Sequence, residues 1–284
     1  MATIEEADIR NKPKLYLILF VGLVLLLASS TISCGQNPGY IYENGAVVVG
    51  GDGEPIELIN NPNATNPTYA ELVAFIEEDS TDERQYLTRA WAPGFAYTCA
   101  DFAEDVHNNA EAAGIKAAWV GIDFEENDEG HALNAFETTD KGLVYIDCTG
   151  RRFFPWLPKY NATSWDKVAY VEVGKEYGVI DIAKAKSPSY SFYEEYTQKW
   201  QEFEKKQQEL EKLLSEWDKE VTRHNEEISK YGSSLEETTR FSVALEENTQ
   251  KRYRLGDELR ALQEELGDYW FEPLGIVKDV QIHW

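Results

Sequence analysis

The 284-residue sequence predicts an α+β protein in which a helix is followed by an antiparallel sheet and then by a long antiparallel helical hairpin. Three observations support this fold class. Residues 67–184 alternate short helical and strand patterns. Residues 190–269 place apolar side chains at spacings of four and three, which is typical of packed helices. Hydrophobic residues make up 43% of the chain, which is enough for a folded core and excludes disorder throughout.

The charge of the chain excludes one class of partner. Asp and Glu number 51 and Lys and Arg only 27, so the net charge is -24. A surface of this kind repels phosphate backbones, and we expect no nucleic-acid partner. No motif indicates a cofactor, and none is expected. His107 and Glu111 have a helical spacing that can hold a metal, but core or surface positions are the expected outcome, and we predict no metal site.

The N-terminal 34 residues predict export and membrane anchoring. Basic residues between positions 10 and 14 precede an apolar run, 15–28, as in a secretory signal sequence. The following Thr31-Ile32-Ser33-Cys34 resembles a bacterial lipobox, with Thr where Leu is usual, and predicts lipidation of Cys34. The alternative is an uncleaved anchor, because residues 15–33 are long enough to span a bilayer. Both alternatives give an extracytoplasmic, membrane-anchored protein, most simply a lipoprotein.

A linker and a core domain are expected next. Residues 35–66 are rich in Gly, Asn and Pro, which predicts a linker with one short strand at 46–49. The core domain is predicted at 67–187, and its first helix at 69–78.

The second helix and the sheet follow within that domain. Thr98 and Asp101 have the spacing of a capping box, which predicts a helix that starts there and stops at Gly114. The strands are predicted from alternation at 115–122, 131–138, 143–149 and 168–173, with a hairpin turn at 139–142.

The predicted helical hairpin covers residues 188–270. Gly232-Ser233-Ser234 interrupts the periodic pattern and predicts a turn, whereas a single long parallel dimer would have to straighten it. Residues 271–284 alternate like a strand and are expected to return to the core. A protein partner for the hairpin is possible on this pattern. The predicted seam residues are Tyr196, Trp200, Phe203, Gln207, Leu210, Leu214, Trp217, Val221, His224, Ile228 and Tyr231, then Phe241, Leu245, Asn248, Arg252, Leu255, Leu259, Leu262 and Leu266.

Cys99, His131 and Asp147 form the candidate catalytic set. They are expected on the first turn of a helix, at the start of a strand and at the end of the next strand. A helix N-terminus favours a thiolate, a His transfers the proton, and a carboxylate fixes the imidazole tautomer. Alternation places Tyr145 and Asp147 on one face of their strand and Cys148 on the other. If Asp147 meets His131, Cys148 points away from Cys99.

Four sequence blocks surround these residues in order: 97–103, 112–117, 130–136 and 144–149. Together they resemble the transglutaminase-like core of the papain-type cysteine enzymes over residues 68–150. The resemblance implies that Cys99 is the nucleophile, His131 the general base and acid, and Asp147 the orienting group. It implies a peptidase, amidase or transglutaminase-type enzyme that cleaves an amide bond of a protein or peptide through a thioester.

Two alternatives stay open at this point. Cys99 and Cys148 could form a structural disulfide, as is common in exported proteins. The chain could also be a non-catalytic envelope scaffold that uses its hairpin to bind partners. The acidic run from Asp123 to Glu129 is expected to be a solvated turn, although it could select cationic substrates or bind calcium.

Overall fold

The computed structural model describes residues 39–43, 45–90, 92, 94–125, 129–150, 165–232 and 234–284. The predicted leader, 1–34, and the lipidation site Cys34 lie outside the described residues. Within the described ranges, no helix combines the length and apolarity that crossing a bilayer requires.

The described chain contains ten strands, four α-helices and a short 3-10 helix at Thr81–Glu83. The strands are β1 (Gly39–Tyr40), β2 (Tyr42–Glu43), β3 (Ala46–Val47), β4 (Glu57–Leu58), β5 (Ala118–Phe124), β6 (His131–Thr138), β7 (Gly142–Asp147), β8 (Lys167–Tyr170), β9 (Gly178–Asp181) and β10 (Val277–His283). The helices are α1 (Tyr69–Glu78), α2 (Cys99–Ala112), α3 (Tyr190–Tyr231) and α4 (Leu235–Leu266).

A six-stranded antiparallel sheet in the order β10-β5-β6-β7-β8-β9 is the centre of the fold. Strands β1 and β4 form one small two-stranded sheet, and β2 and β3 form another. Helix α2 packs on one face of the large sheet against β6 and β5. The mixture of helix and antiparallel sheet agrees with the predicted α+β class.

Strand β6 and the turn that follows it lie where the sequence predicts them, and the other strands differ at their ends. Strand β5 starts three residues late because Lys116 donates its backbone N–H to Thr65 instead of joining the sheet. Strand β7 ends at Asp147 because the backbone N–H of Thr149 turns back to the Asp147 carboxylate. Strand β9 was not predicted.

Both helices of the core start at capping boxes. In α1 the Thr68 hydroxyl accepts from the N–H of Glu71, and the Glu71 carboxylate accepts from the N–H of Thr68. At the start of α2, the Asp101 carboxylate accepts from the N–H and the hydroxyl of Thr98, and the N–H of Asp101 donates to the Thr98 carbonyl. Gly114 follows α2 with a φ of +83°, a conformation that glycine adopts without strain. The predicted bounds of α1 and α2 are therefore confirmed to within one residue.

The predicted linker, residues 35–66, contains a segment, 51–61, that instead packs along α2. The carboxylates of Asp101, Glu104 and Glu111 accept the backbone N–H groups of Gly51, Glu57 and Asn61, each at 2.8 Å. Glu104 lies one turn after Asp101, and Glu111 lies two turns after Glu104, so all three carboxylates face the same extended chain. The linker prediction was wrong because these acceptors lie about fifty residues further along the chain.

Helices α3 and α4 form the predicted antiparallel pair. The partners in the ion pairs between them run in opposite directions along the chain, from Lys199–Glu265 through Lys206–Glu258 to Lys251–Glu209. Near the turn, the rings of Trp217 and His224 both stack on Phe241. With 42 residues at about 1.5 Å each, α3 extends roughly 60 Å.

Several predicted seam positions are exposed. Leu214 is 39% exposed and Leu245 is 41% exposed, whereas Leu213 is half-buried. A helix with one partner is covered along a narrow stripe, so only one of two adjacent residues can be buried. In α3 the stripe passes through Lys206 and Leu213. The other predicted seam residues that the structure exposes are Gln207, Ile228 and Tyr231.

The base of the hairpin is part of the core. Tyr193, Tyr196 and Trp200 of α3 and Leu266 of α4 are buried in one cluster with residues of α1, α2 and the sheet. After α4, the chain returns to pair β10 with β5 at the edge of the sheet. Both ends of the hairpin are thus attached to the same domain.

We predict that Leu255→Ala destabilises the protein by about 2–4 kcal/mol, because this seam residue is only 7% exposed. Leu214→Ala is the matched control and should change the free energy of unfolding by less than about 1 kcal/mol. Urea unfolding followed by circular dichroism measures both values. Equal effects of the two substitutions would contradict the seam as described.

Candidate active site

The structure brings Cys99, His131 and Asp147 together. Cys99 is the first residue of α2, His131 the first residue of β6, and Asp147 the last residue of β7. His131 Nε2 lies 2.9 Å from Asp147 Oδ2, and the imidazole is close enough to the Cys99 thiol to lower its pKa. The two ring contacts place the imidazole between the thiol and the carboxylate.

The surroundings of the thiol favour its ionised form. Burial raises the pKa of Cys99. Hydrogen bonding to His131, the charge of His131 and the backbone N–H of Ala132 together lower the pKa by more than burial raises it, so it lies below its ordinary value. Cys99 also begins α2, where free N–H groups and the helix dipole favour an anion.

The imidazole and the carboxylate support each other's charges. Burial disfavours the imidazolium, but Asp147 and then Cys99 outweigh it and raise the pKa of His131. Burial likewise disfavours the Asp147 carboxylate, but the charges of Lys167 and His131 and the N–H of Thr149 hold its pKa far below the usual range. These shifts all favour a Cys99 thiolate beside a His131 imidazolium.

Lys167 and Tyr177 also contact Asp147, and sequence reasoning did not find them. The Tyr177 hydroxyl donates to Asp147 Oδ2 at 2.7 Å. Lys167 Nζ lies 3.9 Å from Oδ1, and both side chains are almost fully buried. Lys167 is paired with Asp147 in the register of β8 and β7, but Tyr177 arrives from the loop before β9. The sequence signal for Lys167 was a lysine within the apolar strand β8.

Asp101, in the first turn of α2, carries a negative charge near Cys99, but its carboxylate is hydrogen-bonded to other groups. Its Oδ2 accepts from the N–H and hydroxyl of Thr98 and from the N–H of Gly51. Gly51 passes so close to the helix start that a Cβ on it would lie 2.8 Å from the backbone of Ala96. The Asp101 carboxylate is therefore stabilised by the helix cap and by the backbone of the neighbouring segment.

Cys148 lies on the opposite face of β7 from Asp147, as the alternation predicts. It is 3% exposed, packs in the cluster with Val144 and Ile146, and burial raises the pKa of its thiol well above the ordinary value. Both Cys99 and Cys148 are free thiols, so the disulfide alternative is contradicted.

The sequence offered two candidate metal positions, the His107–Glu111 pair and the acidic run from Asp123 to Glu129. The first pair has other hydrogen-bond partners, and the second is described only in part. His107 is fully buried, its Nε2 lies 2.9 Å from Asn60 Oδ1, and desolvation lowers its pKa to about 4. The oxygens of Glu111 accept from the backbone of Asn61 and Ala117. Residues 126–128 of the acidic run lie outside the described ranges. Within those ranges, no group of three or more His, Cys, Asp or Glu side chains could hold a metal ion.

Cys99 is flanked by apolar groups. It packs with Val48 and Ala100 against a cluster that includes Trp119 and Ala132. The indole N–H of Trp119 donates to the carbonyl of Ala100 at 3.2 Å, which fixes the ring against the helix start. Apolar walls lower the local dielectric and strengthen the charge pairing within the site.

Comparison with family models, with curated proteins and with solved structures yields no match for this chain. The chemistry of the site therefore rests on its own geometry. A low-pKa thiol, an imidazole that can exchange a proton with it, and a buried carboxylate that orients the imidazole can carry out nucleophilic attack on a carbonyl.

We predict that at pH 6.5 iodoacetamide alkylates Cys99 faster than a free thiol, which at a pKa of ~8.5 has lost roughly a hundredfold in rate at that pH. The expected pH dependence follows from the lowered pKa of Cys99. The thiolate reacts above that pKa, and its reactivity is lost as the pH falls through it. Cys148, whose pKa is raised, should react slowly throughout. Peptide mass spectrometry of quenched samples measures both rates, and His131→Ala should remove the difference at pH 6.5.

Proposed function

We propose that this protein is a cysteine acyl-transfer enzyme that attacks amide carbonyls. The observation that carries the proposal is the placement of Cys99 beside His131, whose imidazole is hydrogen-bonded to Asp147, with pKa directions that favour a thiolate and an imidazolium. A scaffold has no need of this arrangement, because burying three ionisable groups costs free energy unless their charges are used or fully paired.

The first half of the reaction forms a thioester. The Cys99 thiolate attacks the carbonyl carbon of a peptide or side-chain amide, and the carbonyl electrons move to oxygen. When the tetrahedral intermediate collapses, the C–N bond breaks and the His131 imidazolium gives its proton to the leaving amine. Asp147 keeps the imidazole oriented, because its Oδ2 stays hydrogen-bonded to Nε2.

The second half returns the thiol to its starting state. His131, now neutral, takes a proton from an incoming water, the resulting hydroxide attacks the thioester, and the thiolate leaves. The products are a carboxylic acid and the amine released earlier. We propose hydrolysis in preference to amine transfer, because water requires no second binding site. The substrate is a protein or peptide.

A membrane-proximal site of action is part of the proposal. The basic and apolar leader and Cys34 support export and lipid anchoring on the outer side of a membrane.

A second candidate function is a non-catalytic envelope scaffold. The observation in its favour is the end of the hairpin remote from the sheet, where Tyr231 is 85% exposed and Leu235 is 87% exposed. Large apolar side chains in such a position can bind a partner.

An activated ester distinguishes the two candidates without knowledge of the natural substrate. We predict that p-nitrophenyl acetate gives a burst of p-nitrophenol with one acetyl group on Cys99, followed by slow turnover. Cys99→Ala should abolish the burst, and Cys148→Ala should leave it unchanged. If wild type gives no burst that depends on Cys99, the scaffold is the better assignment.

We further predict that Asp147→Asn lowers turnover of the same ester by about a hundredfold or more while Cys99 can still be acetylated. The amide keeps the size of the side chain but loses the charge that orients and stabilises the imidazolium. Stopped-flow release of p-nitrophenol and intact-mass analysis separate the two steps. Unchanged turnover would show that Asp147 has no part in the chemistry.

A further inference from the structure

We infer that Tyr177 and Lys167 are positioning residues of the active site, which fix the orientation and the charge of Asp147 so that it can hold His131. This inference rests on the proposed function. Both residues are distant from Cys99 in the sequence, and neither belongs to the three sequence blocks that contain Cys99, His131 and Asp147.

The hydrogen bonds around Asp147 leave its carboxylate a single orientation. Oδ2 accepts from His131 Nε2 at 2.9 Å and from the Tyr177 hydroxyl at 2.7 Å. Oδ1 accepts from the N–H of Thr149 at 2.8 Å and faces Lys167 Nζ at 3.9 Å. Rotation of the carboxylate would break contacts on both oxygens, so the acceptor presented to the imidazole is fixed.

Tyr177 also restrains the imidazole directly. Its ring meets the ring of His131 edge to face, with centroids 5.4 Å apart and an interplanar angle of 71°. The ring of Phe124 supports Tyr177 from another side, with centroids 5.9 Å apart. The imidazole is therefore held at one nitrogen by the carboxylate and is packed against the aromatic ring.

Lys167 completes the charge balance of the site. A thiolate, an imidazolium and a carboxylate carry a net charge of minus one, and an ammonium beside them brings the sum to zero. Lys167 is only 4% exposed, and its Nζ donates to the carbonyls of Thr149 and Trp165. It also lies 5.6 Å and 5.8 Å from the ring centroids of Trp165 and Phe271. A buried ammonium with these partners is held in place to act on Asp147.

Both residues are anchored by the chain that returns from the hairpin. The backbone N–H of Tyr177 donates to the carbonyl of Gly275 at 2.8 Å, and Phe271 is one of the rings beside the Lys167 ammonium. The alternative, that Tyr177 and Lys167 only stabilise the fold, predicts no change in the chemistry of Cys99 when they are replaced conservatively.

The test is the pH profile of Cys99 alkylation by iodoacetamide in the full chain. Lys167→Met removes a positive charge, so the thiol titration should move upward by about one pH unit. Tyr177→Phe keeps the ring but removes the hydroxyl that fixes Asp147, so the thiol titration should move upward and the rate near pH 6.5 should fall about three- to tenfold. Tyr170→Phe is the matched control, because the buried Tyr170 hydroxyl donates to the carbonyl of Ser187 instead.

The remaining variants separate function from folding. Lys167→Arg keeps the charge and should keep the wild-type titration, and Lys167→Gln replaces Lys167→Met if the latter does not fold by circular dichroism. Profiles of Tyr177→Phe and of the uncharged Lys167 variant that coincide with wild type would overturn the inference. If wild-type Cys99 itself shows no enhanced reactivity, the proposed function fails first, and the two failures are thereby distinguished.

Discussion

The hydrogen bond between His131 and Asp147 is the interaction on which the site depends. It joins neighbouring antiparallel strands at the point where one begins and the other ends. Its geometry requires the β6–β7 hairpin to keep its register, because a shift of one residue would turn Asp147 to the face that Cys148 occupies. The tight turn after β6 and the packing of the two sheet faces into different clusters, with Phe136 and Ile146 in one and Leu133 in the other, enforce that register.

The second constraint is the N-terminus of α2. Its capping carboxylate, Asp101, serves both the helix and the passing chain at Gly51. The acidic side chains along α2 thus hold residues 51–61 against the helix that starts with Cys99. In a protein with so large an excess of negative charge, carboxylates that accept backbone N–H groups are stabilised without needing basic partners. The net charge of the chain therefore understates how well its acidic residues are satisfied.

The sequence predicts those parts of the molecule whose signals are local. Strand β6 shows eight residues of strand pattern before a turn, and α1 and α2 start at capping boxes, so their positions follow from short-range rules. The triad could be named because each residue type stands at an element boundary that suits its chemistry. Residues 51–61 could not be placed, because their composition has no period and their partners lie on α2. The burial of Leu213 rather than Leu214 could not be predicted, because it depends on how α4 packs against α3. The contact of Tyr177 with Asp147 could not be predicted either, because it forms only when a distant loop folds onto β7.

The position of β10 in the chain has a consequence for biosynthesis. This strand pairs with β5, yet the whole hairpin separates it from the rest of the sheet. A ribosome adds about 5–20 residues per second, so β5 remains an open sheet edge for several seconds while α3 and α4 are made. Gly275, which anchors Tyr177, emerges in the same late segment. The nascent chain therefore carries Cys99 through most of its synthesis before β10 pairs with β5 and completes the sheet.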